Sequence, residues 1–181
     1  MVAYNEDAYE LQCLEWLQGI GWSWAKGPEI AHDGMMPERS SHKDVLLVER
    51  LEDAISRINP GTPKDVVKKV RQLLESPGET NVLKANLLIH RWMTEGMSVK
   101  IRDDAGEETT KLLWLIDFEN IENNDWLAVN QYSVQVDADA GTRRPDIVLF
   151  LNGIPISVLE LKNPSDLDTD IWQAFEQLQT Y

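Results

Sequence analysis

Residues 143–163, RRPDIVLFLNGIPISVLELKN, restrict the fold more than any other stretch of the chain. Two apolar runs, DIVLFL at 146–151 and IPISVLELK at 154–162, flank the pair Asn152-Gly153. That pair accepts positive φ, so the runs are expected to fold back on each other as an antiparallel hairpin. Asp146 opens the first strand. Glu160 and Lys162 lie two residues apart near the end of the second, so their side chains share a face. Register decides whether Asp146 joins them. A two-residue turn pairs Leu151 with Ile154 and sets Asp146 opposite Leu159, pointing away from Glu160. A three-residue turn, Leu151 to Gly153, pairs Phe150 with Ile154. Asp146 then opposes Val158 and sits diagonal to Glu160 on the same face. Bringing the three residues together therefore requires an odd-length turn or a bulge.

The rest of the chain supplies helices and further strands. Residues 6–19 are expected to form a helix after Asn5, with Tyr9, Cys13, Leu14, Trp16, Leu17 and Ile20 on a broad apolar face. A short strand over Trp22 and Trp24 follows, then a loop over 25–42 punctuated by Gly27-Pro28, Gly34 and Pro37. Helices are expected over 43–58, 63–75 and 80–94, separated by Asn59-Pro60-Gly61 and Ser76-Pro77-Gly78. Strands are expected at Val99–Ile101, 111–118 and 126–136, before the hairpin. A last helix runs from about Asp168 to the end, with Ile171, Ala174, Phe175 and Leu178 apolar. This order suits an α/β domain with a mixed sheet. The 181 residues fit one domain. The last helix has no C-cap before Tyr181, so the chain is expected to be a fragment of a longer protein.

Composition narrows the function classes. Asp plus Glu number 31 against 17 Lys plus Arg, a formal net charge of -14. Bulk electrostatics alone is then a poor basis for holding nucleic acid. A single cysteine, Cys13, excludes an intrachain disulfide and a multi-cysteine zinc site. No run approaches ~18 apolar residues, and the acidic start MVAYNEDAYE lacks the features of a signal peptide. No membrane association and a cytoplasmic location are expected.

Two carboxylates and an amine at a sheet edge suit phosphodiester chemistry. Asp146 and Glu160 are hard oxygen ligands for Mg²⁺. The ion lowers the pKa of a bound water and offsets transition-state charge, and the Lys162 ammonium adds a positive charge. The plainer alternative has Asp146 at a strand end and Glu160-Lys162 as a solvated edge pair.

Asp146 after Pro145, followed by Glu160-Leu161-Lys162, resembles the PD-(D/E)xK nuclease superfamily, built on the restriction-endonuclease-like fold. The resemblance extends further. The blocks YELQCLEWLQGIGW, ENNDWLAVNQYSV, RRPDIVLFLNGIPISVLELKN and AFEQLQTY, in this order, are similar to the N-terminal region of the R subunit of type I restriction enzymes. The resemblance implies a restriction-endonuclease-like mixed sheet flanked by helices, with additional N-terminal helices. It implies Asp146, Glu160 and Lys162 as catalytic residues. It implies Asp146, Glu160, the Leu161 carbonyl and Glu10 as ligands of Mg²⁺, with Mn²⁺ as a substitute.

Gln177 and Tyr181 match a Q-x-x-x-Y motif that lines the site and helps hold DNA. Arg143 and Arg144, just before Asp146, are expected either to touch a phosphate backbone or to stand as an exposed charge pair. Double-stranded DNA and the modification and specificity subunits of a restriction complex are the implied partners. ATP would belong to a helicase-like motor elsewhere in the subunit, since this chain has no G-x-x-x-x-G-K-[ST]. The alternatives are a catalytically silent docking domain of the same fold and a stand-alone nuclease. His32, His42 and His90 lack ligand spacing and are expected to be structural or solvated. Trp22, Trp24, Trp92, Trp114, Trp126 and Trp172 are expected in the core. No physical role is evident for Asn123, Asn124, Asn130 and Gln131.

Overall fold

A computed structural model describes residues 6–102, 106–135, 141–162 and 171–179. In chain order its elements are α1 (Glu6–Gly19), β1 (Ser23–Lys26), α2 (Gly27–Ile30), α3 (Val48–Ile58), α4 (Lys64–Glu75) and α5 (Val82–Glu95). There follow β2 (Met97–Arg102), β3 (Glu108–Leu113), a 3₁₀ turn (Ile121–Asn123), β4 (Trp126–Asn130) and β5 (Val134–Gln135). The last elements are β6 (Thr142–Arg143), β7 (Ile147–Leu151), β8 (Ile154–Leu159) and α6 (Ile171–Leu178). The architecture is mixed α/β, compatible with a restriction-endonuclease-like fold. Chain contacts define two units, Met1–Leu47 with Trp126–Tyr181, and Val48–Asp125.

The first unit is built on a four-stranded sheet in the order β1-β4-β7-β8. β1 runs parallel to β4, and the other neighbours are antiparallel. Alternation along the strands gives each face its own core. Leu127, Val129, Val148 and Phe150 pack with Ile30, Leu47 and Tyr132. Ala128 and Ile147 pack with Leu14 of α1, joined by Cys13, Leu17, Leu149 and Leu159. The buried stripe of α1 is narrower than its apolar composition suggests, because Leu11 and Trp16 are exposed, as is Ile20 just past its end. Gly27 allows α2 to follow β1 directly. A Cβ there would meet the backbone of Asn130 and Gln131.

Three sequence expectations in this unit are revised. The helix expected from residue 43 begins at Val48, since the Leu47 N–H is committed to the Gly153 carbonyl at 2.9 Å. The strand expected over 126–136 breaks after Asn130, where Gln131 takes φ 55° and the chain turns before β5. The loop expected over 25–42 contains α2, with Pro28 in its first turn.

The second unit packs α3 on α4 and pairs β2 with β3. Its core includes Leu51, Ile55, Val66, Val70, Leu74, Met97, Val99, Leu113 and Leu115. In α5 no described residue is fully buried. The strand expected over 111–118 lies earlier, at Glu108–Leu113. Beyond Leu113 a side chain replaces a strand partner: Asn59 Oδ1 accepts the Trp114 N–H at 2.8 Å, and its Nδ2 donates to the Trp114 and Ile55 carbonyls. Further on, the Asp117 carboxylate accepts the Asn120 and Glu119 N–H groups and the Asn123 amide. These donors, that of Asn120 first, hold its pKa below the ordinary value.

Asn59 is buried, so truncating it strands two backbone groups of Trp114. Asn59→Ala is expected to lower stability by about 2–3 kcal/mol, read as a drop in the denaturant midpoint. Trp114 and Trp172, expected in the core, are exposed.

Candidate active site at the β7–β8 hairpin

The hairpin turn is the shorter of the two alternatives. Leu151 pairs with Ile154, and Asn152 and Gly153 both take positive φ, 53° and 77°. Such a turn matches the twist of the flanking strands and favours Asn-Gly. Taken alone, this register would set Asp146 opposite Leu159.

A bulge reverses that outcome. Phe150 pairs with Pro155, but Leu149 pairs with Ser157, so Ile156 is an extra residue in β8. Pro155 brings no N–H to the ladder, and proline within a sheet is confined to such irregular or edge positions. Past the bulge, Val148 pairs with Val158 and Ile147 with Leu159. Extended by one pair, the register sets Asp146 opposite Glu160. Residues directly opposite in an antiparallel pair share a face.

The backbone reinforces this placement. Asp146 Oδ2 accepts the Leu161 N–H at 2.6 Å, and the Asp146 carbonyl accepts the Gln131 N–H at 2.9 Å. The Leu161 N–H thus holds the Asp146 carboxylate, a bond that does not involve its carbonyl, the group expected to meet an ion.

Glu160 and Lys162 adjoin. The Glu160 side chain is only 2% exposed, that of Lys162 is 23% exposed, and Nζ lies 3.2 Å from Oε1. Lys162 Nζ also donates to Gln177 Oε1 of α6 at 2.8 Å. Gln177, expected as a DNA contact, thus also holds the lysine through its amide oxygen. Tyr181 lies outside the described residues.

Glu10 is buried on α1, yet it does not close a trio with Asp146 and Glu160. Among the described residues those three carboxylates do not fall within 4.8 Å of one another. One Glu10 oxygen accepts the Asn130 amide at 2.6 Å, and the other accepts the Gln131 amide. Trp24 Nε1 in turn donates to Asn130 Oδ1 at 3.0 Å. Asn130 and Gln131, without a role in the sequence reading, therefore anchor Glu10. Gln131 links that anchor to the Asp146 backbone. The sequence signal was the presence of two amides at the end of an apolar strand, a place where polar side chains need a buried partner.

Arg143 lies on the short β5–β6 ribbon opposite Val134. Arg143 and Arg144 are exposed. Among the described residues, no helix is long and apolar enough to cross a membrane.

The sequence matches the family described as Type I restriction enzyme R protein N terminus over residues 3–181. It is 33% identical over 178 residues to the Type I restriction enzyme HindI endonuclease subunit of Haemophilus influenzae, covering 98% of this chain and 17% of that protein. It is 32% identical over 167 residues to the Putative type I restriction enzyme MjaIXP endonuclease subunit of Methanocaldococcus jannaschii, covering 91% of this chain and 16% of that protein. The chain thus spans about a sixth of the length of these relatives.

Proposed function

Because this chain belongs to the family of type I restriction enzyme R protein N termini, we propose that it is the nuclease part of such a subunit, hydrolysing phosphodiester bonds of double-stranded DNA with Mg²⁺ or Mn²⁺. The reading rests above all on the bulge at Ile156, whose register sets Asp146 across from Glu160, the carboxylate that adjoins Lys162. The donor set suits a hard divalent ion. The Glu160 carboxylate adjoins the Lys162 ammonium and is nearly removed from solvent. Carboxylate oxygens are the ligands such an ion prefers. When bound, the ion polarises a phosphate oxygen, activates water and offsets charge on the transferring phosphoryl group.

The chain's own residues set the geometry. The Leu161 N–H fixes the Asp146 carboxylate. Gln177 and Glu160 hold the Lys162 ammonium, which then stabilises the charge developing on phosphate oxygens. Glu10 acts as a positioning residue through Gln131. Arg143 and Arg144 reach toward the DNA backbone.

A net charge of -14 gives this chain little intrinsic grip on DNA. In the full subunit an ATP-driven motor, with the modification and specificity subunits of the complex, holds and delivers the duplex. Effective concentration then replaces affinity. Cleavage follows translocation and falls away from the recognition site.

Titration calorimetry with Mn²⁺ and Mg²⁺ on the 181-residue chain tests the ion site. Saturable Mg²⁺ binding by the wild type and its loss in Glu160→Gln are expected, with Mn²⁺ binding weakened in the variant. Equal binding by both forms would remove Glu160 from the site.

A further inference from the structure

The three histidines carry no ligand spacing, yet folding brings two of them together. Among the described residues, His32, Asp33 and His42 are the group of three metal-capable side chains whose ligand atoms all lie within 4.8 Å of one another. The His32 and His42 rings meet edge to face, with centroids 4.7 Å apart at 84°. His32 Nδ1 lies 3.8 Å from Asp33 Oδ1. We propose that this trio is a transition-metal site, separate from the Asp146–Glu160 pair, and that it takes Zn²⁺.

The backbone sets up the trio without an ion. His32 and Asp33 follow α2, whose Ile30 is buried in the core. The turn after them is closed by Met36 N–H to the Glu29 carbonyl at 2.9 Å and Glu38 N–H to the Ile30 carbonyl at 3.0 Å. On the other side, the His42 carbonyl accepts the Gln135 N–H at 2.9 Å. The segment between is gathered by Asp44, whose carboxylate accepts the Ser40 N–H and hydroxyl. Both arms of the site are therefore pinned to the first unit, which lowers the ordering cost of capture.

Ligand chemistry decides the ion. Two imidazoles and one carboxylate favour Zn²⁺ and its first-row neighbours, whereas Mg²⁺ prefers oxygen alone. Zinc bonds of ~2.0–2.1 Å hold tetrahedral neighbours roughly 3.4 Å apart, a gap that side-chain torsions close from the present spacing. Three protein ligands leave a position for water. His32 and Asp33 are exposed, so the ion has an entry path. The nearby Arg39 guanidinium opposes a cation. It is, however, stacked over the Tyr132 ring at 4.0 Å and donates to the Ser133 carbonyl at 2.7 Å. Binding would clamp the ends of the 32–42 segment, so the native state gains stability in proportion to occupancy.

The test titrates Zn²⁺, and separately Co²⁺ as a spectroscopic probe, into the metal-free 181-residue chain. One Zn²⁺ per chain in the double variant Asp146→Ala/Glu160→Ala, visible Co²⁺ bands of mixed nitrogen and oxygen coordination, and a melting temperature that rises with Zn²⁺ are expected. His32→Ala and His42→Ala should each weaken Zn²⁺ binding at least about tenfold, and Asp33→Asn should weaken it less. His32 and Asp33 are exposed, so their variants should keep the wild-type circular dichroism. The double variant Asp146→Ala/Glu160→Ala should retain the site, which separates this proposal from the nuclease reading. Absence of Co²⁺ bands, binding unchanged in His32→Ala, or loss of binding in the double variant would overturn it.

Discussion

Asp146→Asn, Glu160→Gln and Lys162→Ala are each expected to cut DNA cleavage by the assembled restriction enzyme by roughly 10²–10³-fold or more. ATP hydrolysis by the rest of the subunit should be unchanged. The isosteric changes are chosen for what they leave intact. Asp146→Asn keeps an oxygen to accept the Leu161 N–H, so the local backbone survives while the ligand charge is lost. Glu160→Gln keeps the volume of a side chain that is 2% exposed, avoiding a cavity. Lys162→Ala removes the charge that adjoins Glu160 and Gln177. Single-turnover cleavage of supercoiled DNA, with ATPase measured in parallel, reads both effects. Wild-type cleavage by Asp146→Asn would refute the site.

The second large effect concerns register. Inserting one alanine between Leu159 and Glu160 should reduce cleavage to the level of Asp146→Asn. Side chains alternate along a strand, so one added residue turns Glu160 and Lys162 to the opposite face from Asp146. Deleting Ile156 should do the reverse of harm. That residue is 42% exposed, and its removal leaves Leu149 opposite Ser157 and Asp146 opposite Glu160 in a regular ladder. Insertion and deletion each change the chain by one residue, yet only the insertion should silence the enzyme. Equal loss from both would mean that the exposed bulge serves some need other than pairing.

Much of this architecture was legible in residue order. Pro63 and the Val66, Val67, Val70 and Leu74 stripe announce α4, which runs Lys64–Glu75. Asn152-Gly153 announces its turn, since both residues adopt the positive φ that the pair tolerates. These are local preferences, readable over a few residues. The proposed nuclease triad was legible in the same way, as residue types placed at the mouths of two adjacent strands.

What local pattern could not convey depends on partners distant along the chain. The same apolar run reads as one strand over 126–136, yet it ends at Asn130 because Asn130 and Gln131 turn their amides to Glu10, more than a hundred residues earlier. The strand expected past Leu113 yields to the side chain of Asn59 for a like reason. His32 and His42 carry no motif and meet only because Gln135 and α2 fix the two ends of their segment. Residue order alone thus specified most of the helices, the hairpin and the chemical character of the candidate site, because propensity and periodicity act over one or two turns of chain, while the length of the hairpin turn and the short helix α2 waited on the structure. The bulge that sets Asp146 across from Glu160, the grip of Gln177 on Lys162 and the burial of Glu10 were settled by packing. Each depends on which backbone and side-chain groups find hydrogen-bond partners once the sheet has closed.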